Sequence, residues 1–226
     1  MTQAHNRELA EWAQVVLVAI RPSDFQAALP PLRAVWGSRE RLVVSLAAGV
    51  PVAQLRQWIP APATVIRAMP NLAVEMGQGA IAVYASDPVA EPDRRLIEGL
   101  FGCLGKVFWL VEEDQLNLVT ALSGSGPAYF FYFMEQLEAA AVAIGMDRDL
   151  ARLLVLETGI GSMALAESGK GAFRHLREQV ASPGGTTAAA LSHLARAEFS
   201  DLIVAAVRAA YERGRDLAQP PSESKP

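Results

Sequence analysis

The chain has 226 residues and little of what several common chemistries require. Its one cysteine, Cys103, excludes an internal disulfide framework and fits a reducing compartment. Its three histidines, His5, His175 and His193, do not cluster with each other or with Cys103 at ligand spacing, so no metal site is readable. No Gly-x-Ser-x-Gly elbow supports a serine nucleophile, and Gly124-Ser125-Gly126 reads better as a helix start. The net charge of −4, with no run of lysine or arginine, argues against nucleic acid as a partner. Residues 1–10 are polar and lack an apolar secretory core. The longest uncharged stretch, residues 115–134, matches a membrane span in length. Ser123-Gly124-Ser125-Gly126-Pro127 interrupts it, which predicts two buried helical pieces and no membrane partner. A cytoplasmic protein is the expectation.

What is present is apolar patterning, with 51% hydrophobic residues, enough for one large core or two modest ones. The first half alternates. Residues 6–13 read as the end of a helix, and residues 15–20 (VVLVAI) as a strand buried on both faces. Ser23 or Asp24 can cap a helix running to about Val35. Further strands are expected at 41–47, 64–68, 79–84 and 107–110, with helices at 52–59 and 92–103. Such alternation predicts a wound α/β sheet. From Asp114 the period becomes helical, with helices expected at 114–122, 127–144, 148–167, 186–194 and 199–217 and a short turn near Leu176. The chain thus divides into an α/β domain, residues 1–111, an all-helical domain, 112–218, and a disordered tail, 219–226. Residues 129–134 are apolar nearly all round, more than a lone helical domain hides easily. A homodimer or higher homo-oligomer burying that helix explains this; a wholly internal central helix is the alternative.

An α/β sheet followed by helices invites a search for the dinucleotide-binding glycine fingerprint. Literal Gly-x-Gly-x-x-Ala matches occur at 77–82 and 159–164. The first leads into a strand and the second lies inside a helix, so neither has the strand–turn–helix context that binds pyrophosphate. Ser182-Pro183-Gly184-Gly185-Thr186-Thr187 is different, because it opens directly into the apolar helical run that begins at Ala188. Paired glycines allow close backbone approach, the helix's first amides lack intrahelical acceptors, and two hydroxyls sit at its mouth. An ordinary turn and N-cap is the plainer reading; an anion seat is the sharper one.

Five collinear segments carry a resemblance. They are Val18-Ala19-Ile20-Arg21-Pro22, Ser45-Leu46-Ala47-Ala48-Gly49-Val50, Ile66-Arg67-Ala68-Met69-Pro70-Asn71, Leu122-Ser123-Gly124-Ser125-Gly126-Pro127-Ala128-Tyr129, and the Ser182 to Thr187 segment. In order and approximate spacing the chain resembles the pyrroline-5-carboxylate reductases, which make proline by reducing a cyclic imine with NADPH or NADH. The resemblance implies an α/β, Rossmann-like doubly wound sheet followed by an all-helical dimerisation domain. It also implies that the sheet is incomplete, starting after the first β-α-β unit of the family, through a misplaced start codon or a truncated lineage. Weak binding of the cofactor would follow.

Carried over residue by residue, the resemblance places Asn6 near the adenosine half of the cofactor and Ala19, Ile20, Arg21 and Pro22 along it. Ala47 and Ala48 become nicotinamide-side contacts, and Met69, Pro70 and Asn71 wall the nicotinamide. Gly184, Gly185, Thr186 and Thr187 hold the carboxylate of a small imine substrate, with the Thr187 hydroxyl beside its nitrogen as the catalytic group. The family usually has lysine at Arg21, Thr-Pro at Leu72-Ala73, and Glu-His-Pro where Lys170-Gly171-Ala172-Phe173 stand. These departures leave two alternatives open: a non-catalytic dimerising relative, and a related imine or β-hydroxyacid reductase.

Overall fold

A computed structural model describes residues 3–38, 40–169 and 171–218, without the side chains of residues 3–5 and 218. The expected disordered tail from residue 219, and Lys170, lie outside the described residues. The chain forms two compact units, Met1–Pro127 with Val207–Pro226, and Ala128–Ala206.

In the first unit, helix α1 (Gln3–Trp12) precedes strand β1 (Val15–Val18). Two short helices, α2 (Phe25–Ala28) and α3 (Arg33–Trp36), lead to β2 (Leu42–Ser45), and α4 (Val52–Leu55) leads to β3 (Thr64–Met69). Then come β4 (Gly79–Ala85), α5 (Glu91–Gly102) and β5 (Gly105–Trp109), in a sheet of order β1-β2-β3-β4-β5. The expected α/β sheet is therefore present. Period-two alternation sorts its core into two layers. Val43 and Val65 face Phe25, Leu29, Trp36, Leu55 and Ile59 on one side; Leu42, Val44, Ile66, Ile81 and Val83 face Ile97 and Phe101 on the other.

Strands β1, β2 and β3 run parallel, whereas β4 pairs antiparallel to β3. Only a turn of 3-10 helix, Leu72–Met76, links β3 to β4. A parallel return needs a crossover of a dozen or more residues, so this short link forces the reversal. The single helix expected from Ser23 or Asp24 to Val35 is instead broken, with 3-10 turns at Pro22–Asp24 and Pro30–Leu32. Pro30 and Pro31 lack the amide hydrogens a continuous helix needs. Asp24 precedes α2 without a side-chain cap.

Helix α6 (Gln115–Val119) continues through a π-turn, Thr120–Gly124, toward α7 (Gly126–Ala143). The glycines and Pro127 therefore widen the helix for one turn, Ser125 N donating to Thr120 O at 2.9 Å, where an interruption was expected. Neither helical piece is wholly buried within the chain, since Leu118 and Leu122 of the first are more than half exposed. Leu116 and Ala121 are buried, but Phe130, Phe131, Tyr132 and Phe133 are about half exposed or more.

The second unit contains most of α7, then α8 (Arg148–Glu167), α9 (Phe173–Val180), α10 (Thr186–Arg196) and the start of α11 (Phe199–Ala218). Asp147 caps α8, accepting from Leu150 N at 3.0 Å. The turn expected near Leu176 is the two-turn helix α9. Ala151 is buried, while Leu153, Leu154, Ile160, Met163, Ile203 and Val204 stay exposed.

Candidate active site

Because β1, β2 and β3 are parallel and in register, with Val18 beside Ser45 and Ser45 beside Arg67, their following residues emerge at one edge of the sheet. Ala19, Ile20, Arg21 and Pro22 follow β1, Ala47 and Ala48 follow β2, and Met69, Pro70 and Asn71 close β3. The carboxyl edge of such a sheet is where α/β proteins bind ligands.

Two anchors hold the segment that carries the alanines. Ser45 Oγ accepts from Ala47 N at 3.4 Å, and Glu113 Oε1 accepts from Val52 N at 2.6 Å. Ala47 is buried and Ala48 exposed. At the end of β3 the Asn71 side chain is fully engaged. Its Nδ2 donates to Ser123 Oγ at 3.2 Å and its Oδ1 accepts from Ala80 N at 3.3 Å. It thereby ties β3, β4 and the π-turn together. Met69 lies against that turn so closely that a methyl at Gly124 would stand 2.6 Å from Met69 Cε. The π-turn itself is a departure found frequently at functional sites.

Asn6, Ala19 and Ile20 come together along a groove of about 360 Å³ that also touches Leu9, Leu29 and Trp36. Its walls are mainly aliphatic, with polar side-chain groups from Asn6 and Trp36. Trp36 Nε1 is buried without a hydrogen-bond partner among the described residues. A groove of this size with mainly aliphatic walls, at the edge where β1 ends, has room for a flat ring system. Arg21 is highly exposed and pairs with Asp24 at 3.1 Å.

Gly184, Gly185, Thr186 and Thr187 belong to the second unit. Gly184 has φ +74°, a left-handed conformation that a side chain resists. Gly185 N donates to Ser182 O at 3.0 Å, closing the turn that precedes α10. The first helical bond there is Ala189 N to Gly185 O, at 3.1 Å. The amides of Thr186, Thr187 and Ala188 thus lie ahead of the helical ladder, at the positive end of its dipole. A small carboxylate suits that position.

Among the described residues no group of three His, Cys, Asp or Glu side chains could hold a metal ion, and no helix is long and apolar enough to cross a membrane. A separate polar contact binds α11 to the start of α6. Tyr211 OH donates to Asp114 Oδ2 at 3.0 Å, and Asn117 Nδ2 donates to Asp114 Oδ1 at 2.9 Å. The bond from Asn117, followed by that from Tyr211, holds the Asp114 carboxyl below its ordinary range.

Arg67 and Glu113, 2.8 Å apart, were not singled out from sequence. The available signal was a charged residue within the otherwise apolar strand Thr64–Met69.

A family model described as pyrroline-5-carboxylate reductase dimerisation matches residues 113–217. A pyrroline-5-carboxylate reductase of Pseudomonas aeruginosa is 36% identical over 214 residues, covering 95% of this chain and 78% of the relative. A solved reductase from Coxiella burnetii superposes with TM-score 0.89 at 34% identity, covering 95% of this chain and 80% of that one. A Plasmodium falciparum pyrroline carboxylate reductase solved with NADP bound gives TM-score 0.85 at 28% identity, with the same coverages.

Proposed function

Because the chain belongs to the pyrroline-5-carboxylate reductase family, we propose that it reduces 1-pyrroline-5-carboxylate to L-proline with NADPH or NADH, a step of proline biosynthesis. The observation that carries this reading is identity of 36% sustained over 95% of the chain. The convergence of Ala47, Ala48, Met69, Pro70 and Asn71 at one sheet edge supports the cofactor assignment. When bound, the reduced cofactor supplies a hydride to the imine carbon.

The chain's own residues have four tasks. Asn6, Ala19 and Ile20 seat the adenosine half, with Arg21 and Pro22 at the rim. Ala47 and Ala48 admit the nicotinamide ring closely because each side chain is one methyl, and Met69 and Pro70 exclude water from it. Asn71 acts as the strut that keeps Met69 and Pro70 in place. Gly184, Gly185 and Thr186 hold the substrate carboxylate through backbone amides, while the Thr187 hydroxyl orients the imine nitrogen. A protonated imine is already a strong electrophile, so orientation and exclusion of water account for most of the work. No dedicated acid–base pair is needed.

We assign residues 1–111 to cofactor binding and 112–218 to substrate binding and dimerisation, supported by the family match at 113–217. The half-exposed apolar residues of α7, α8 and α11 support a homodimer, since covering the exposed half of each such side chain gains about 1 kcal/mol. A cytoplasmic location accords with the single cysteine. The test is oxidation of NADPH or NADH by the purified full-length protein, with proline identified as product. Proline formation is the expected result. Cofactor binding without turnover of this imine would favour a related imine or β-hydroxyacid reductase, and failure to bind either cofactor a non-catalytic relative.

A further inference from the structure

We propose that Arg67 and Glu113 are positioning residues that set the cofactor segment 46–51 from beneath, an inference that rests on the assignment of Ala47 and Ala48 as cofactor contacts. Leu46 N still donates to Val18 O of β1 at 3.0 Å, and beyond that bond side chains hold the segment at both ends. At its start Ser45 Oγ accepts from Ala47 N, and just past its end Glu113 Oε1 accepts from Val52 N. The same Glu113 oxygen accepts from the Arg67 guanidinium at 2.8 Å. Arg67 stands in register with Ser45 on β2 and with Tyr84 on β4, so one polar row runs across the sheet directly below the segment.

Charge makes this row stiff. The Arg67 side chain is only 8% exposed and that of Glu113 28%. Arg67 Nε has no hydrogen-bond partner among the described residues, so Glu113 is its visible counter-charge. A buried arginine in that position strongly resists losing its carboxylate. The carboxylate is presented by a turn that is itself tied down. Gln115 Oε1 accepts from the amides of Val111 and Glu112, both at 3.1 Å, and Leu116 N donates to Glu113 O at 3.0 Å. Movement of that turn therefore reaches Val52 directly, through the bond from its amide to Glu113 Oε1.

The test combines three variants of the full-length protein with two readouts. Glu113→Ala removes both the acceptor for Val52 and the counter-charge. Glu113→Gln keeps an oxygen acceptor without the charge. Arg67→Met combined with Glu113→Gln keeps the acceptor while removing both charges, which guards against a folding failure of the alanine variant. Amide hydrogen exchange over residues 46–52 is followed without cofactor, and NADPH affinity is titrated directly. In Glu113→Ala, exchange in this segment should accelerate and NADPH affinity fall, each by about tenfold or more, the scale of one charge-assisted hydrogen bond. Exchange in β4 and β5 should stay as in the parent, and KM for the imine should change far less than KM for NADPH. The double variant should recover most of the protection and affinity.

Unchanged exchange at 46–52 in Glu113→Ala overturns the clamp. Faster exchange with unchanged NADPH affinity overturns its role in positioning. A parent protein that binds NADPH yet does not reduce the imine defeats the proposed reaction alone, leaving the clamp to be judged by the same two readouts. A parent that does not bind NADPH defeats the cofactor assignment and this inference with it.

Discussion

Replacing Gly124 by alanine separates the site from the fold. The added methyl would stand 2.6 Å from Met69 Cε, against about 3.5–4.0 Å for carbon atoms in good contact. Met69 must therefore retreat by about 1 Å. The cost to stability is small, because the clash meets the flexible end of a methionine, and alanine favours a helical backbone over glycine by up to about 1 kcal/mol. Net stability should stay within about 1 kcal/mol of the parent. The cost to catalysis is larger if Met69 walls the nicotinamide, since a misplacement of about 1 Å at a reacting centre can lower the rate by up to about 100-fold. Thermal unfolding and steady-state kinetics on the same preparation decide it. The expected pattern is an almost unchanged midpoint with kcat reduced by about tenfold or more. A variant with parental kcat and cofactor affinity would refute the placement of Met69 against the ring, whatever its melting point.

The catalytic assignment and the fold yield three further expectations. Thr187→Ala removes one hydrogen bond to the reacting group and should lower kcat/KM by roughly 5- to 150-fold, about 1–3 kcal/mol, with an unchanged melting point; full retention of kcat/KM rejects the role. Gly105→Ala should destabilise the first unit by about 3 kcal/mol or more, because φ is +150° there and a methyl would overlap the backbone of Gly79; an unchanged denaturation midpoint contradicts the β4–β5 pairing. Asp114 has a folded-state pKa below its ordinary 3.8, so its stabilising effect is present above that value and is lost as pH falls through the lowered one. Melting temperature followed below about pH 4 should accordingly decline less steeply in Asp114→Asn than in the parent, and parallel curves would show that the ionised Asp114 gains nothing from Asn117 and Tyr211.

Local pattern was enough for most elements. Arg148 to Glu167 reads as one helix because Asp147 caps it and its interior holds no proline, and that is the helix observed. The apolar runs of β2 and β3 are legible because strands buried on both faces need little else; residues 15–20 read the same way, but β1 is the edge strand and leaves Leu17 and Ile20 exposed. The five motif segments, taken in order, pointed to the reductase family, and their strand-end residues emerge together because parallel strands present their carboxyl ends at one edge. The break at Pro30 and Pro31 was also written in the chain, and was outweighed by the apolar spacing around it.

What only tertiary structure decided depends on partners distant in sequence. Val15 to Val18 and Leu42 to Ser45 declare themselves as strands, but nothing local in Arg67 names Glu113, which lies 46 residues away. The same holds for Asn71, whose amide could face a ligand or a neighbour and is drawn to Ser123 and Ala80. Hydrophobic periodicity reports which face is buried, because burial repeats along the chain. A hydrogen bond between side chains repeats nowhere, and is specified only when folding brings donor and acceptor within about 3 Å.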